Sequence, residues 1–92
     1  MPAVVVTAEV EDAAVWEERF RTHVSLFKEY TVKKPVRFAV GEGNQVTICF
    51  EPDDLDTYMK SMDSDATEEA MAHDGVKRET VKIVALDKSL EL

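Results

Sequence analysis

One histidine, His23, stands in an apolar stripe whose other members are aromatic. Trp16, Phe20 and Phe27 recur at helical spacing, and on a helix that turns 100° per residue these side chains lie within about 40° of Trp16. Imidazole exchanges protons near neutral pH, and beside aromatic walls it can deprotonate a phenol, an enol or an activated C–H group. The spacing therefore predicts His23 as the base of a pocket.

A second amphipathic segment supplies the opposite wall of this pocket. Tyr58 falls on one face with Met59 and Met62, and a phenol hydroxyl there can orient an oxygen atom of a substrate. The predicted site thus has a catalytic pair, His23 and Tyr58, and a pocket for a small hydrophobic ligand. The predicted pocket residues are Trp16, Phe20, Phe27, Met59 and Met62.

Two structural explanations compete with this prediction. A buried histidine is commonly satisfied by a backbone carbonyl or a water molecule, and aromatic residues at helical spacing commonly form a solid core. The second histidine, His73, precedes Asp74 at a predicted helix end, where we expect it to act as a cap. An enzyme would require a cavity of about 300 Å³ or more that reaches His23, whereas a solid core would have none.

The distribution of charge argues against nucleic acid as a partner. The formal net charge is −8, and segment 42–74 contains ten carboxylates but only one base, Lys60. A phosphate backbone requires a clustered basic face, whereas the other bases are scattered along the chain. The acidic run is expected to form a solvated helix surface.

The sequence contains no motif typical of a metal or cofactor site. Gly41 and Gly43 lack the third glycine, the lysine and the following helix of a phosphate-binding loop. Segment 63–74 spaces its oxygen atoms like a calcium loop, but Glu68 occupies the position that needs glycine. We therefore expect neither a metal ion nor an organic cofactor.

The single cysteine and the short apolar runs indicate the compartment. Cys49 cannot form an internal disulfide, and no secretory leader precedes the first predicted strand. No apolar run approaches the roughly 20 residues that a membrane helix needs. We expect a cytoplasmic protein that has no membrane partner.

Alternating apolar residues predict the strands that must carry this site. Glycine and asparagine between the second and third strands predict a hairpin turn, because both tolerate positive φ. The predicted strands span 3–10, 36–40, 46–50 and 80–86.

Two helices complete the element order βαββαβ. One continuous helix is predicted for 12–30, and a second runs from 52 to 73 with an interruption at Asp63–Ser64. Asp65 and Glu68 resemble a capping box at the restart, and Gly75 is placed as the C-cap. Right-handed crossovers then give one ferredoxin-like α+β domain, a four-stranded antiparallel sheet with both helices on one face.

The opposite face of this sheet would remain uncovered. It mixes aliphatic side chains with charges of both signs, which suits a partly wet interface between two copies. We expect a homodimer through this face, with Glu9 and Glu51 pairing with Arg37 and Lys82 either across the interface or within one sheet. The aliphatic members of the face include Val5, Ala39, Val84 and Leu86.

Three stretches of the chain resemble a known superfamily. They are VWEERFRTHVSLFKEY, TICFEPDDLDTYMKSM and GVKRETVKIVAL. They are similar to the dimeric α+β barrel superfamily, which contains antibiotic-biosynthesis-type monooxygenases, polyketide cyclases and muconolactone-isomerase-like proteins. The resemblance implies a homodimer with a pocket between sheet and helices, usually without metal or organic cofactor. Its haem-degrading branch is not matched, because the first strand lacks an asparagine and Phe50 replaces a tryptophan.

Two functions of different classes follow from these patterns. The first is a cofactor-independent monooxygenase, cyclase or isomerase that acts on a small hydrophobic or aromatic metabolite with His23 as base. The second is a non-catalytic homodimeric binding or structural module with a solid core. The cavity next to His23 distinguishes them.

Overall fold

The computed structural model describes residues 3–92, and its sheet has four antiparallel strands. Their order across the sheet is second, third, first and fourth, so the first and third strands are central. Val6 lies opposite Ile48 on one side and opposite Ile83 on the other. This topology confirms the predicted ferredoxin-like α+β fold. The strands are β1 Ala3–Glu9, β2 Arg37–Val40, β3 Gln45–Phe50 and β4 Lys82–Leu86.

Four short helices pack against one face of the sheet, as predicted for the helical layer. Alternate residues of β1 and β3 are buried beneath them, together with Trp16 and Tyr58, which are each 1% exposed. No helix within residues 3–92 combines the length and the apolar character that crossing a bilayer would require. The helices are α1 Ala13–Phe20, α2 Val24–Glu29, α3 Leu55–Ser61 and α4 Asp65–His73.

The continuous helix predicted for 12–30 is wrong, because the chain breaks between α1 and α2. At the break, the hydroxyl and the N–H of Thr22 both donate to the carbonyl of Arg19. The N–H of His23 donates to the carbonyl of Phe20, three residues back. These bonds tighten the last turn and end α1, since the Thr22 hydroxyl competes for a carbonyl that a continuing helix would use.

The second predicted helix is interrupted where expected, between α3 and α4. Its restart differs by one residue from the prediction, because Ser64 and not Asp65 is the N-cap. The Ser64 hydroxyl accepts a hydrogen bond from the N–H of Thr67 at 3.3 Å, which is the usual geometry of a serine cap. The C-cap residue of α4 is Asp74, one position before the predicted Gly75. Gly75 follows it with φ +75°, a conformation that favours glycine and ends the helix.

The face of the sheet away from the helices carries a row of mixed side chains. Cys49 lies opposite Arg37 on one neighbouring strand and opposite Val5 on the other, and Val84 continues the row. Val84 and Leu86 are 57% and 55% exposed. Aliphatic residues on an otherwise open sheet face mark it as a surface suited to association.

One ion pair predicted for this face forms elsewhere within the described chain. The Lys77 ammonium, rather than Arg37 or Lys82, donates to the Glu9 carboxylate at 2.9 Å. Lys77 reaches Glu9 because its own N–H is bonded to the Glu9 carbonyl at 2.9 Å. The Glu9 carboxylate in turn raises the pKa of Lys77. The basic residues of β2 and β4 therefore lack this partner in their own sheet.

Candidate functional site

The imidazole of His23 contacts a buried carboxylate. Its Nε2 lies 3.0 Å from Oδ1 and 2.8 Å from Oδ2 of Asp74. The His23 side chain is 17% exposed and the Asp74 side chain 5%. An ionised carboxylate only accepts hydrogen bonds, so Nε2 carries the proton that is donated and Nδ1 is the remaining ring nitrogen. The hydrogen-bond partner of His23 is therefore the Asp74 carboxylate, whereas the sequence suggests a backbone carbonyl or a water molecule.

The second histidine of the chain converges on the same carboxylate. His73 lies in the last turn of α4, as predicted, and its Nδ1 is 3.0 Å from Oδ1 of Asp74. Its side chain is 60% exposed, so it approaches Asp74 from the solvent side. Both histidines therefore share one buried acceptor, although they lie far apart in the sequence.

The end of α4 positions this acceptor. Gly75 and Val76 each donate a backbone hydrogen bond to a carbonyl of the last helical turn, which fixes Asp74 at the C-cap. A negative charge at the C-terminus of a helix is disfavoured by the helix dipole. Arg19 relieves this partly, because its guanidinium donates to the carbonyl of His73 at 2.6 Å. Asp74 therefore occupies a position that its own helix does not favour.

Asp74 is not among the site residues predicted from the sequence, although two features of the sequence point to it. An aspartate immediately before a glycine C-cap opposes the helix dipole, where a lysine or arginine would be expected. It also adjoins one of only two histidines in the chain. An unfavourable charge beside a proton-exchanging side chain is a reason to look for a distant partner.

A cavity of about 80 Å³ lies between the sheet and the helices and is lined by both predicted catalytic residues, His23 and Tyr58. Met59 does not line it, because Tyr58 points inward and the next helical residue is rotated by about 100°. Met59 is 38% exposed, which corrects its predicted place in the pocket. The predicted pocket residues that do line the cavity are Trp16, Phe20, Phe27 and Met62.

The size of the cavity falls between the two outcomes expected from the sequence. A volume of 80 Å³ accommodates two or three water molecules at about 30 Å³ each. A pocket for a small-molecule ligand is larger, at about 300 Å³ or more. A groove of about 390 Å³ lies next to the cavity. Phe20 and Phe27 line both spaces, so these two rings form the wall between them.

The hydroxyl of Tyr58 is buried and has no hydrogen-bond partner among residues 3–92. Burial raises the pKa of Tyr58 well above the ordinary value of about 10, so the phenol remains a protonated donor. An unsatisfied buried hydroxyl costs about 1–3 kcal/mol. Tyr58 also lines the cavity beside His23.

The site also gathers three side chains of the types that bind metal ions. One ligand atom from each of His23, His73 and Asp74 lies within 4.8 Å of the other two. Two imidazoles and one carboxylate form a donor set that suits divalent transition metals. The sequence predicted no such group, because its members are brought together only by the packing of the α1–α2 break against the end of α4.

Comparison with known proteins identifies the fold. No protein-family model and no curated protein matches the chain. A proposed antibiotic biosynthesis monooxygenase from Bordetella bronchiseptica is 14% identical, with a TM-score of 0.75 and coverage of 97% of both chains. SnoaB, a cofactor-independent oxygenase from Streptomyces nogalater, is 12% identical, with a TM-score of 0.71 and coverage of 99% of this chain and 95% of that one.

A third similar structure, a proposed antibiotic biosynthesis monooxygenase from Caulobacter crescentus, is 18% identical, with a TM-score of 0.69 and coverage of 97% of this chain and 90% of that one. At these identities the similarity establishes the fold. The chain shares its fold with these structures, in agreement with the predicted ferredoxin-like α+β architecture.

The unsatisfied hydroxyl of Tyr58 predicts an unusual response to mutation. Tyr58→Phe should leave the free energy of unfolding unchanged or raise it by about 1 kcal/mol, because it removes a buried polar group without a partner. The matched control is Tyr30→Phe, since the Tyr30 hydroxyl bonds to Thr67 at 2.8 Å and to Ser64 at 3.1 Å. That change should cost about 1 kcal/mol in urea unfolding. Equal losses in both variants would contradict the assignment.

The raised pKa of Tyr58 predicts a loss of stability at high pH. Below about pH 10 the hydroxyl is protonated in both the folded and the unfolded chain, so it adds no pH dependence. Above that pH the unfolded chain releases this proton while the folded chain retains it, and the free energy of unfolding falls by up to about 1.4 kcal/mol per pH unit. Urea unfolding between about pH 9 and pH 11 should show a shallower decline in Tyr58→Phe. Parallel declines would show that Tyr58 is not responsible.

Proposed function

We propose that the protein binds a small hydrophobic or aromatic metabolite between sheet and helices and acts on it with His23 as base, as a cofactor-independent monooxygenase, cyclase or isomerase. One observation carries this proposal: an apolar cavity is lined both by His23, which Asp74 holds, and by Tyr58, whose hydroxyl lacks a protein partner. SnoaB shares the fold and is a cofactor-independent oxygenase. Oxygenation is therefore the first reaction to test.

Asp74 prepares His23 for proton transfer in this proposal. Its carboxylate accepts the Nε2 proton and thereby fixes the tautomer whose Nδ1 has a free lone pair. When Nδ1 accepts a proton from the substrate, the positive charge on the ring lies 2.8 Å from a buried negative charge. The same logic operates when an aspartate orients the histidine of a hydrolytic triad.

Tyr58 supplies the complementary group. Removing a proton from a phenol, an enol or an activated C–H group leaves negative charge on an oxygen atom of the substrate. The Tyr58 hydroxyl is a protonated donor that is already desolvated, so it can stabilise this oxyanion without first losing a protein partner. Base and oxyanion donor then act at two places on one bound molecule.

The proposed oxygenation balances without a cofactor. His23 removes one proton from a ring methylene, and the resulting carbanion, which is stabilised as an enolate, reduces O₂ with electrons from the substrate itself. The methylene becomes a carbonyl, and the second oxygen atom leaves as water. Cyclisation or isomerisation would begin with the same enolate and would differ only in the electrophile that captures it.

The size of the cavity requires the apolar wall to move when an aromatic substrate binds. The cavity of about 80 Å³ is too small for a ring system, but Phe20 and Phe27 line both this cavity and the neighbouring groove of about 390 Å³. Phe20 ends α1 and Phe27 belongs to α2, so the wall spans the helix break. A change in the angle between these short helices would join the two spaces.

Replacement of His23 tests this function directly. The probe is anthrone, in which loss of a proton from the ring methylene turns the ring carbonyl into a phenolate. The assay follows O₂ uptake and the formation of anthraquinone without added metal or cofactor. His23→Gln retains an N–H donor for Asp74 but lacks the proton acceptor, so turnover should fall by about 100-fold or more. Met59→Leu is the control, because Met59 is exposed and does not line the cavity.

If the His23→Gln variant turned over anthrone at the wild-type rate, the role of His23 as base would be refuted. Tyr58→Phe separates the second role, because loss of an oxyanion donor should lower kcat by about 100-fold while the protein remains folded. Comparable rates for the wild type and for buffer alone would favour the non-catalytic module described below.

We also propose that two copies of the chain form a homodimer through the open face of the sheet. Val84 and Leu86 are more than half exposed in the single chain. Arg37 and Lys82 lie on the same face, and the Glu9 carboxylate is paired with Lys77 instead of with either of them. A second copy would bury the aliphatic residues, as in the face-to-face sheets implied by the superfamily. We also propose a cytoplasmic location, where the thiol of Cys49 would stay reduced.

Two valine variants test the dimer. Val84→Asp places a charge at the centre of the proposed interface and should convert the dimer to a monomer, because a buried unpaired carboxylate is strongly unfavourable. Val24→Asp is matched in residue type and in exposure, at 54% against 57%, but lies on α2. It should leave the dimer intact. Native mass spectrometry reads both outcomes, and a monomeric wild-type chain would refute the dimer.

The small cavity favours one alternative function, a non-catalytic homodimeric binding or structural module. At about 80 Å³ the space beside His23 is nearer to a packed core than to a substrate pocket. Native mass spectrometry of the protein purified from cells distinguishes the two functions, because a retained metabolite adds mass to the dimer. Added mass that Tyr58→Phe abolishes would support the ligand pocket.

A further inference from the structure

We propose that His23, His73 and Asp74 form a binding site for one divalent transition-metal ion. The chain has only two histidines, and both place a ring nitrogen within 3.0 Å of the same buried carboxylate. Two imidazoles and a carboxylate make up the donor set of many open metal sites, which hold the ion with three protein ligands and leave the remaining positions to water.

The distances between the donor atoms suit an ion that replaces the shared protons. Ligands about 2.0–2.2 Å from a Zn²⁺ ion lie about 3.0–3.5 Å from one another. The His23 Nε2 and Asp74 Oδ2 atoms are 2.8 Å apart, and the His73 Nδ1 and Asp74 Oδ1 atoms are 3.0 Å apart. Because all three donor atoms lie within 4.8 Å of one another, shifts of less than about 1 Å would complete the site.

Charge and access also favour a cation here. Asp74 contributes a carboxylate to the cluster, and the chain as a whole has a formal charge of −8, which attracts cations. Arg19 opposes this attraction, since its guanidinium contacts the His73 carbonyl at 2.6 Å. The His73 ring is 60% exposed, so an ion can enter from solvent by rotation of this side chain.

The donor set selects the class of ion. Imidazole nitrogen is a good ligand for Zn²⁺, Co²⁺, Ni²⁺ and Fe²⁺, whereas Ca²⁺ and Mg²⁺ prefer oxygen atoms. The site offers two nitrogen ligands and a single carboxylate. We therefore expect binding of Zn²⁺ or Co²⁺ in the presence of excess Mg²⁺.

Metal binding has a consequence that rests on the proposed function. An ion at Nε2 of His23 displaces the proton that Asp74 now accepts, and the neutral ring then carries its proton on Nδ1. The Nδ1 lone pair, which the proposed reaction uses, is no longer free. The bound ion would therefore inhibit the base-initiated reaction, and the metal-free chain would be the active form.

Calorimetric titration of Zn²⁺ into the untagged, metal-stripped protein tests the site without any substrate. The wild type should bind one ion per chain, and Co²⁺ should give visible absorption that Zn²⁺ displaces. His73→Ala should weaken binding at least about tenfold, and it should fold because His73 is largely exposed. Glu69→Gln is the control, since it removes one exposed negative charge from the same helix without removing a ligand.

Equal Zn²⁺ affinities in the wild type and His73→Ala, or an equal loss in Glu69→Gln, would overturn the metal site. The inhibition is measured separately, as loss of anthrone oxidation when Zn²⁺ is added. Binding without any enzymatic activity would leave the metal site established and would refute the proposed function instead. Activity that Zn²⁺ leaves unchanged, at concentrations that saturate the site, would refute the shared use of His23.

Discussion

The buried carboxylate of Asp74 is the interaction on which the arrangement of the site depends. It is 5% exposed and lies at the C-terminal end of a helix, where both burial and the helix dipole disfavour a negative charge. The two histidine rings provide the compensating hydrogen bonds. His23 lies in the break between α1 and α2 and contacts Asp74 at the end of α4, so the break and the buried charge meet at one place.

The two tyrosines of the helical layer show where the fold gives up stability. Tyr30 bonds to Ser64 and Thr67 and so ties the end of α2 to the start of α4. Tyr58, which is more deeply buried, has no such partner among the residues described. Proteins tolerate an unsatisfied buried group most readily where function requires it. The unsatisfied hydroxyl and the unfavourable Asp74 charge both border one cavity, which distinguishes this region from the rest of the core.

The sequence predicts the parts of this structure that short-range physics determines. Alternation gives the strands, Gly43 and Asn44 give the turn with φ near +60°, and Gly75 gives the end of α4. The break at Thr22 is invisible to periodicity, because the apolar stripe continues in register on both sides of it. The helix ends where the Thr22 hydroxyl competes for the Arg19 carbonyl and the His23 N–H bonds three residues back to Phe20.

The candidate site is predictable only in part, for the same reason. Helical periodicity groups most of the apolar lining correctly. It predicts Met59 on the same face as Tyr58, but the rotation of 100° between neighbouring helical residues turns Met59 to solvent. The pairing of His23 with Asp74 joins residues 51 positions apart, and no local pattern encodes it. It requires the crossover topology and the helix break together.

The proposed binding of a ring system needs more space than the cavity offers. The short helices are the part of the fold that can shift to provide this space. The sheet is fixed by continuous pairing of β1 with both β3 and β4, so its face cannot recede without breaking backbone hydrogen bonds. The helices contain only six to nine residues each, and the α1–α2 junction is closed by local bonds of Thr22 and His23 to carbonyls three residues back rather than by pairing with the sheet. Phe20 and Phe27 lie on opposite sides of one junction, whereas His23 is anchored to α4 through Asp74. Under the proposed function, opening this junction would move the aromatic wall while the contact with Asp74 holds His23 at the end of α4, so the space for a substrate would change without loss of the His23–Asp74 pair.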